Sequence, residues 1–503
     1  MTGTDVVIVG NGPIGATLSV LLAQRGWRVT VLERRPRPYK LPRATSFDGE
    51  TARLLAATGI GPDFGRITAP ANGYQWQTAA GQTLLDIAFT TAGRYGWPDA
   101  NTMHQPALEE LIAARAKELP GITVLRGHEV VGIVDGDERV SVEALDEDDV
   151  PRTLSARWVV GCDGANSFVR EHLDVPVTDL GFSYEWLLCD VQLREPREFV
   201  PTNVQICDPA RPTTLVGSGP GRRRWEFMRL PGESTAELNK DETAWRLMAP
   251  FGVTPETATL LRSTTYIFQA RWADQWRVGH VLLAGDAAHL MPPFAGQGMC
   301  SGIRDVANLA WKLDLVLRGF AGESVLDSYT EERRAQAKEA ILSSVQLGRV
   351  ICVTDPAAAA ERDATVLANR RGKPPTRPEP AKPLTGGLLH SSPGAGAVVP
   401  QGRVRLGGDT GLFDDVVGRG FVLLTTEEPD ELPFLGELDA HVVRLDDGVD
   451  VDDVYLPFLA QYQATSLLVR PDYHVFGSAR GLSGLDALVD DLRNQLRAAV
   501  PVR

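Results

Sequence analysis

A glycine-rich turn at residues 10–15, GNGPIG, constrains the fold of this chain more than any other feature. The run DVVIV at 5–9 precedes it and predicts a buried parallel strand. The segment ATLSVLLAQR at 16–25 predicts a helix, and RVTVL at 28–32 predicts a second strand that ends at Glu33. The order strand, glycine turn, helix, strand therefore predicts the first βαβ unit of an α/β domain with a parallel sheet.

The spacing of the three glycines predicts a dinucleotide site. Gly10 permits the tight turn, Gly12 lets a pyrophosphate approach the backbone, and Gly15 lets the helix pack on the strand. Glu33 is placed to accept hydrogen bonds from an adenosine ribose. The pattern leaves NAD and FAD open, and a glycine turn in a ligand-free α/β unit is the alternative.

Composition narrows the class of protein. A chain of 503 residues is long enough for several domains, and its formal charge of −14 argues against nucleic acid or an anionic membrane as the main partner. The N-terminus lacks a basic segment before its first apolar run, and no apolar stretch reaches 18 residues. We therefore expect a cytoplasmic protein without a signal peptide or a membrane span.

Cysteine usage agrees with a reducing compartment. The cysteines are Cys162, Cys189, Cys207, Cys300 and Cys352. They form no CxxC pair and no zinc-type spacing with the histidines, so we expect no metal site and five small buried side chains.

Two further turns follow apolar strands later in the chain. In WVVGCDGANSFVR (158–170), Asp163-Gly164 follows a strand, and in VLLAGDAAHLMPPFAGQG (281–298), Gly285-Asp286 does the same. A helix from about Met299 to Leu317 is expected after the second turn, with an apolar face. Three such turns do not fit a simple NAD dehydrogenase, whose cofactor site lies within one half of the chain.

The three turns in this order resemble the group A FAD-dependent aromatic hydroxylases, which share the para-hydroxybenzoate hydroxylase fold. The resemblance covers residues 5 to about 350. The stretch AGDAAHLMPPFAGQGMCSGIRDVANLAWKL is most similar to the branch that contains 3-(3-hydroxyphenyl)propionate, resorcinol and polyketide hydroxylases. The segments at 205–214 and 221–233 also resemble that branch.

The resemblance implies a mixed α/β (α+β) architecture. It implies a Rossmann-like FAD-binding domain in two parts, 1–174 and 276–369, with an inserted β-rich substrate domain at 175–275. Residues 370–398 are dense in proline, glycine and basic residues and predict an extended linker. Short strands are expected at 421–424, 441–445 and 466–470, before a last helix from Gly484 to Ala499. Residues 399–503 resemble the thioredoxin-like C-terminal domain of phenol-hydroxylase relatives, here without any cysteine and therefore without CxxC chemistry.

The resemblance also implies which residues bind FAD. Asp286 is expected to bind the ribityl hydroxyls, Pro292, Pro293 and Phe294 to line the flavin, and the N-terminus of the helix after Gly298 to face the reduced flavin, whose negative charge it would stabilise. The expected cofactor-binding residues are Gly10, Gly12, Pro13, Gly15, Glu33, Arg34, Arg43, Gln105, Asp163, Gly164, Gly285, Asp286, Pro293, Gly296, Gly298 and Met299.

The implied activity is that of a monooxygenase. With NADH or NADPH and O2, a flavin C4a-hydroperoxide would hydroxylate a phenol ortho or para to its hydroxyl, the hard chemistry being the cofactor's. His289 and Pro293 are the expected catalytic residues, although a structural role is the alternative for His289. The expected substrate-lining residues are Tyr184, Trp186, Trp225, Phe227 and Phe294.

Several alternatives stay open at this stage. Arg222, Arg223 and Arg224 either attract a substrate carboxylate or form an exposed basic turn, which we expect. The substrate is a small phenol or a polycyclic, polyketide-like phenol, and a flavoprotein that binds an aromatic ligand without hydroxylating it is the third reading. The choice between NADH and NADPH is open. The oligomeric state is open as well, with a homodimer as one alternative to a monomer.

Overall fold

The structure is a computed structural model that describes residues 3–497. The strands are β1 Val6–Val9, β2 Val29–Glu33, β3 Ser46–Asp48, β4 Thr68–Pro70, β5 Gly73–Gln77, β6 Thr83–Ala88, β7 Ala100–Met103, β8 Ile122–Arg126, β9 Glu129–Asp135, β10 Val140–Leu145, β11 Pro151–Ala156, β12 Trp158–Gly161, β13 Val177–Leu193, β14 Asn203–Ile206, β15 Thr213–Gly217, β16 Arg222–Met228, β17 Ala258–Ala273, β18 Arg277–Val278, β19 Val281–Leu283, β20 His289–Leu290, β21 Arg403–Leu406, β22 Asp409–Leu412, β23 Val422–Thr425, β24 His441–Arg444, β25 Ser466–Val469 and β26 Val475–Ala479.

The chain also contains α-helices and a few short 3-10 and π segments. The α-helices are α1 Pro13–Ala23, α2 Gly49–Leu55, α3 Phe64–Ile67, α4 Gln105–Lys117, α5 Phe168–His172, α6 Thr235–Leu238, α7 Asp241–Met248, α8 Gly298–Leu317, α9 Asp327–Ile351, α10 Pro356–Arg370, α11 Phe413–Val416, α12 Pro433–Glu437, α13 Tyr455–Gln461 and α14 Gly481–Arg497.

A six-stranded sheet in the order β18-β19-β12-β1-β2-β8 forms the centre of the first domain. Its strands run parallel except β18, and Val6 lies between Trp158 and Val29. All four residues of β1 are buried, in a core that the central sheet shares with α1, α8, α9 and the three-stranded sheet β11-β10-β9. The predicted strand–turn–helix unit is confirmed, but α1 begins at Pro13, three residues before the predicted start, since proline suits the first turn of a helix.

A second sheet has eight strands, in the order β20-β17-β13-β16-β15-β14-β5-β6. Its long strands β13 and β17 pair antiparallel over most of their length. Strands β5 and β6 join it from residues 73–88, so this sheet draws on the chain before the predicted insert at 175–275 as well as on the insert itself.

The C-terminal third contains a four-stranded sheet in the order β24-β23-β25-β26. The three strands expected at 421–424, 441–445 and 466–470 correspond to β23, β24 and β25. The last helix, α14, begins three residues earlier than expected, and its predicted end at Ala499 lies outside the described residues.

The expected linker at 370–398 has little regular structure but is not detached from the rest. The Thr376 backbone N–H donates to the Asp86 carbonyl at 2.9 Å, and the Leu384 N–H donates to the Gly396 carbonyl at 3.0 Å. The C-terminal sheet packs on α8 through Trp311 and Phe421, whose ring centroids lie 5.5 Å apart. The five cysteines are free and buried, as predicted.

Candidate cofactor and substrate site

The glycine turn after β1 combines two packing glycines with one that leaves open space. Gly10 has φ +102°, and a Cβ there would lie 2.4 Å from the Cys162 carbonyl oxygen. A Cβ on Gly15 would lie 2.1 Å from the Gly10 carbonyl oxygen. A Cβ on Gly12 would meet no described atom within 4 Å, so the space beside the N-terminus of α1 is free for a phosphate group.

Glu33 at the end of β2 holds this turn in place. One carboxylate oxygen accepts a hydrogen bond from the Asn11 N–H at 2.9 Å, and the other accepts from the Arg35 N–H at 2.9 Å. Each oxygen keeps a second lone pair for a ribose hydroxyl. Pro13 is half-buried at the start of α1, whereas Arg34, which follows Glu33, is exposed.

The turn after β19 places a free acid opposite the first turn. Gly285 has φ +61° and lies against Ile14 of α1, where a Cβ would approach Cγ1 at 3.0 Å. Asp286 is partly buried, and burial raises the pKa of its carboxyl. No residue in the described part of the chain donates a hydrogen bond to this carboxylate, which is the state expected of a group that binds ligand hydroxyls.

A buried ion cluster on the protein side of the turn at Gly285-Asp286 holds that turn in place. The Asp305 carboxylate of α8 accepts hydrogen bonds from the Gly285 N–H at 3.0 Å and from Arg333 Nε at 3.0 Å, and it bonds His289 Nε2 at 2.7 Å. Burial alone would raise the pKa of Asp305, but His289 and Arg333 hold it below its ordinary value. The His289 side chain is fully buried, so it contacts the turn from its protein side.

The loop after β20 leads into α8 with its backbone N–H groups free of side-chain caps. Pro293–Ala295 form a 3-10 turn in which Pro293 is exposed, and Gly296 follows with φ +66°. No side chain caps the first turn of α8, where Gly298 and Met299 lie. These N–H groups and the helix dipole can therefore stabilise a negatively charged group at the N-terminal end of the helix.

In the turn after β12, the acidic side chain forms hydrogen bonds within the turn itself. The Asp163 carboxylate accepts hydrogen bonds from Ser167 Oγ at 2.5 Å and from the Val169 N–H at 3.1 Å. Gly164 has φ +85°, and a Cβ there would meet no described atom. Arg170, which the sequence analysis did not single out, donates to the Ala287 carbonyl at 3.0 Å and so joins this turn to the one at Asp286.

Gln105 and Arg43 lie together at the side of the site. Gln105 Oε1 accepts hydrogen bonds from the Arg43 N–H at 3.0 Å and the Ala44 N–H at 2.7 Å. The amide group of Gln105 thus positions the segment that carries the exposed guanidinium of Arg43. That segment continues to Ser46, whose Oγ lies 3.8 Å from the position of a Cβ on Gly296.

The eight-stranded sheet has an inner face towards this site and an outer face towards α7. On the inner face, Trp186 packs against Phe268 and Phe294, with ring centroids 5.7 and 5.8 Å away. Tyr184 has the same strand parity as Trp186 and is partly buried. The inner aromatic residues therefore bring the sheet into contact with the loop that precedes α8.

The prediction that Trp225 and Phe227 line the substrate site is wrong. Both are buried on the outer face, where they pack with Met248 of α7. Side chains of β16 alternate between the two faces of the sheet, and Glu226, between the two aromatic residues, is the one that faces inward. The sequence analysis did not place Glu226 at the site.

The expected exposed basic turn at 222–224 is also wrong. Arg223 is buried over the ring of Phe199, 3.7 Å from its centroid. Arg224 is buried on the inner face and forms a bidentate pair with Asp190, at 2.7 and 3.1 Å. Its remaining N–H groups donate to the backbone carbonyls of Pro42 and Arg43, so this arginine fixes the segment beside the site.

These residues fit FAD. The open space at Gly12 accommodates a pyrophosphate, and the free carboxylate of Asp286 matches a chain of hydroxyls. The uncapped N-terminus of α8 suits the edge of a flavin that gains negative charge on reduction.

None of the helices described between residues 3 and 497 combines the length and apolar character that crossing a membrane requires.

Comparison with known proteins gives the same result. The FAD binding domain family matches residues 3–344. The chain is 39% identical to the "Probable NADH-specific resorcinol 4-hydroxylase" of Rhodococcus jostii, over 99% of this chain and 96% of that protein. It is 36% identical to the 3-(3-hydroxy-phenyl)propionate/3-hydroxycinnamic acid hydroxylase of Comamonas testosteroni, over 82% of this chain and 73% of that protein.

A solved structure shares the fold over the full length. The flavin-dependent monooxygenase PieE, solved in complex with FAD and substrate, superposes with a TM-score of 0.82 at 19% identity, over 99% of each chain. The matched family spans most of the chain, and the first relative covers nearly all of it. The chain therefore belongs to the FAD-dependent aromatic hydroxylases, in the branch with resorcinol and 3-hydroxyphenylpropionate hydroxylases.

Proposed function

We propose that this enzyme uses FAD, NADH and O2 to add one hydroxyl group to a small phenol, ortho or para to the hydroxyl already present. The observation that carries the proposal is the convergence of three turns, at Gly12, Gly164 and Asp286, with the N-terminus of α8 opposite an aromatic sheet face. The product would be a catechol or a hydroquinone.

FAD, when bound, supplies the oxygen chemistry, and the chain supplies position and environment. The unpaired carboxylate of Asp286 would accept hydrogen bonds from ribityl hydroxyls, and the uncapped first turn of α8 would stabilise negative charge on the flavin. The cluster of Trp186, Phe268 and Phe294 excludes water from one side of the site. The inner face of the sheet then holds the aromatic ring of the substrate.

For His289 we propose a positioning role in place of the catalytic role expected from sequence. Its side chain is buried against Trp276 and bonded to Asp305, which in turn holds the turn of Asp286. Pro293 is exposed at the loop before α8, where it would line the flavin as expected. Both assignments support a site in which catalysis depends on the cofactor and on substrate placement.

We further propose that residues 399–503 form a thioredoxin-like domain without redox chemistry. One parallel strand pair, β23 with β24, followed by the antiparallel pairs of β25 and β26, supports this assignment for the described part of the domain. The sequence contains no cysteine after Cys352. We therefore propose that this domain packs against α8 and α9 and has no redox role. The homodimer stays a prediction, which gel filtration would test.

The test is oxidation of NADH by the purified flavoprotein with a panel of phenols, with products followed by mass. A rise in NADH oxidation together with a product heavier by one oxygen atom supports the proposal. The panel should include polycyclic phenols, because anhydrotetracycline and aklavinone hydroxylases share the fold. Turnover of only polycyclic compounds would move the substrate to that class, and binding without NADH oxidation would indicate a ligand-binding flavoprotein.

A further inference from the structure

Glu226 occupies the centre of the inner sheet face. On β16 it pairs with Leu188 of β13 on one side and with Thr214 of β15 on the other. Two residues before it on the same face, Arg224 contacts the Pro42 and Arg43 carbonyls. Two residues after it, Met228 belongs to the aromatic cluster.

This position lies between the two segments that border the site. The Arg224 end of the face touches the segment at 42–46, and that segment reaches Gly296 through Ser46. The Met228 end belongs to the same cluster as Trp186 and Phe294 of the loop before α8. Glu226 therefore faces the region that the loop and the segment enclose together.

The carboxylate of Glu226 forms a long ion pair with Arg224, whose Nη1 lies 3.7 Å from Oε1, and no residue within 3–497 donates to it at normal hydrogen-bond length. Its side chain is 10% exposed. Arg224 is already committed to Asp190 and to two backbone carbonyls. The next polar side chains of the row bond each other, since Thr214 Oγ1 donates to Gln205 Oε1 at 2.5 Å. A buried acid whose one paired cation lies beyond normal hydrogen-bond length keeps acceptor capacity that a ligand hydroxyl would use.

The charges around Glu226 balance without a ligand. The buried charged groups of this face are Arg224, Arg262 and Asp190 together with Glu226 itself, two cations and two anions. Tyr74 of β5 also faces it, and burial raises the pKa of that phenol, with Glu226 adding to the effect. Arg222 lies four residues from Glu226 along β16, about 13 Å away at the usual rise of a strand. A second carboxylate beside Glu226 would leave an uncompensated buried charge.

Resting on the proposed function, we propose that Glu226 is the specificity-determining residue of this site: its carboxylate accepts a hydrogen bond from a substrate hydroxyl and disfavours phenols that carry a carboxylate. The substrate class that fits is an uncharged phenol, above all one with a second hydroxyl. One hydroxyl then bonds Glu226 while the ring packs on the aromatic end of the face.

The protonation of Glu226 gives the proposal a pH signature. Burial raises the pKa of this carboxyl, and Arg224 and Arg262 oppose that effect. The ionised form is the better acceptor, so binding of an uncharged phenol weakens as the pH falls through that pKa. A carboxylate-bearing phenol gains from the same protonation, because the repulsion disappears.

The test compares wild-type holoenzyme with Glu226→Gln, using 1,3-dihydroxybenzene and 3-(3-hydroxyphenyl)propionate as probes. Calorimetry gives binding, and steady-state assays give kcat/KM. We expect the variant to bind 1,3-dihydroxybenzene about tenfold to 100-fold more weakly. Its preference for 1,3-dihydroxybenzene over the carboxylate probe should fall by at least about tenfold, and its binding should lose the pH dependence. Glu226→Asp should restore part of the preference.

Two controls separate the possible failures. Glu237→Gln removes an exposed carboxylate from α6 on the outer side and should leave the preference unchanged. Flavin content and the far-ultraviolet circular dichroism of Glu226→Gln report whether it folds. If wild type hydroxylates neither probe nor any other phenol, the proposed function fails. If wild type hydroxylates phenols but Glu226→Gln keeps the same preference and pH profile, the assignment of Glu226 alone is overturned.

Discussion

Two buried glutamates show how the same side chain serves different purposes in this molecule. Glu332 of α9, at the contact with the C-terminal domain, accepts hydrogen bonds from Asn308, Lys312, Arg470 and the Leu388 N–H, at 2.7 to 2.9 Å. Glu226, on the inner sheet face, has only the long ion pair with Arg224, at 3.7 Å, among the described residues. The first acid completes an interface within the protein, and the second leaves an acceptor for a ligand.

Asp286 belongs with Glu226 in this comparison. It is partly buried and without a donor among residues 3–497, whereas Asp472 shares Arg470 with Glu332 in the saturated cluster. Unpaired polar groups that burial makes costly are concentrated at sites that bind something else. We therefore expect saturation by neighbours to separate acids that stabilise the fold from acids that bind FAD or substrate.

Breaking the saturated cluster should give the largest effect on stability. Glu332→Gln removes the acid and leaves Arg470 and Lys312 buried with less compensation. We expect the free energy of unfolding to fall by about 3–5 kcal/mol, measured by denaturant unfolding of FAD-saturated protein. Asp452→Asn, which removes an exposed partner of Arg403, is the matched control and should change it by less than about 1 kcal/mol. Equal effects of the two substitutions would contradict the comparison.

Acid titration should show the same contrast with opposite signs. Burial would raise the pKa of Glu332, but Arg470 and Lys312 lower it to about 2, from an ordinary value of 4.5. Its stabilising contribution is complete above pH 4.5 and is lost as the pH falls towards 2, about 3 kcal/mol in all. Burial raises the pKa of Glu226 and Asp286 instead, so their protonation favours the folded apoprotein as the pH falls.

The measurement for this second prediction is the pH dependence of the unfolding free energy of apoprotein. Glu332→Gln should lose stability less steeply than wild type on acidification, because the acid-sensitive group is gone. Glu226→Gln should lose it more steeply. Parallel curves for the two variants would show that saturation by neighbours does not govern the two acids.

The glycine turn allows the same comparison in terms of space. A Cβ on Gly15 would lie 2.1 Å from a backbone oxygen, whereas a Cβ on Gly12 would meet no described atom. Gly15→Ala should therefore destabilise the apoprotein by about 1–3 kcal/mol. Gly12→Ala should leave that stability nearly unchanged and lower the ratio of bound flavin to protein after dialysis. Loss of stability without loss of flavin in Gly12→Ala would contradict the phosphate assignment.

The parts of this site that sequence could predict are local. The turns at Gly10, Asp163 and Asp286 each follow a short apolar strand, and their residues act within a few positions of one another. Family resemblance then supplied the cofactor and the reaction class. The fold of the first domain and its family were accessible in this way, and the residues proposed to bind FAD lie in the same turns.

The inner sheet face was not accessible from sequence for a physical reason. Alternation along β16 gives a period of two but not which face is inward, and that phase depends on the packing of Trp225 and Phe227 against α7. Arg224 finds Asp190 across 34 residues and the Pro42 carbonyl across 182. Such distant partners convert an apparent basic surface turn into a buried support for the site.

Substitution of Asp286 should have the smallest effect on the free energy of unfolding. It also gives the clearest contrast with the saturated acids, because the sign of the effect should depend on FAD. In apoprotein its unpaired carboxylate is a cost, so Asp286→Asn should raise the free energy of unfolding by about 1 kcal/mol or less. With FAD, the carboxylate would accept ribityl hydroxyls, so the same substitution should weaken FAD binding about tenfold or more. Thermal denaturation with and without FAD, together with flavin titration, measures both signs. A saturated acid cannot give this reversal, since its partners are present in both states; destabilisation of apoprotein by Asp286→Asn would therefore place Asp286 with Glu332 among the structural acids.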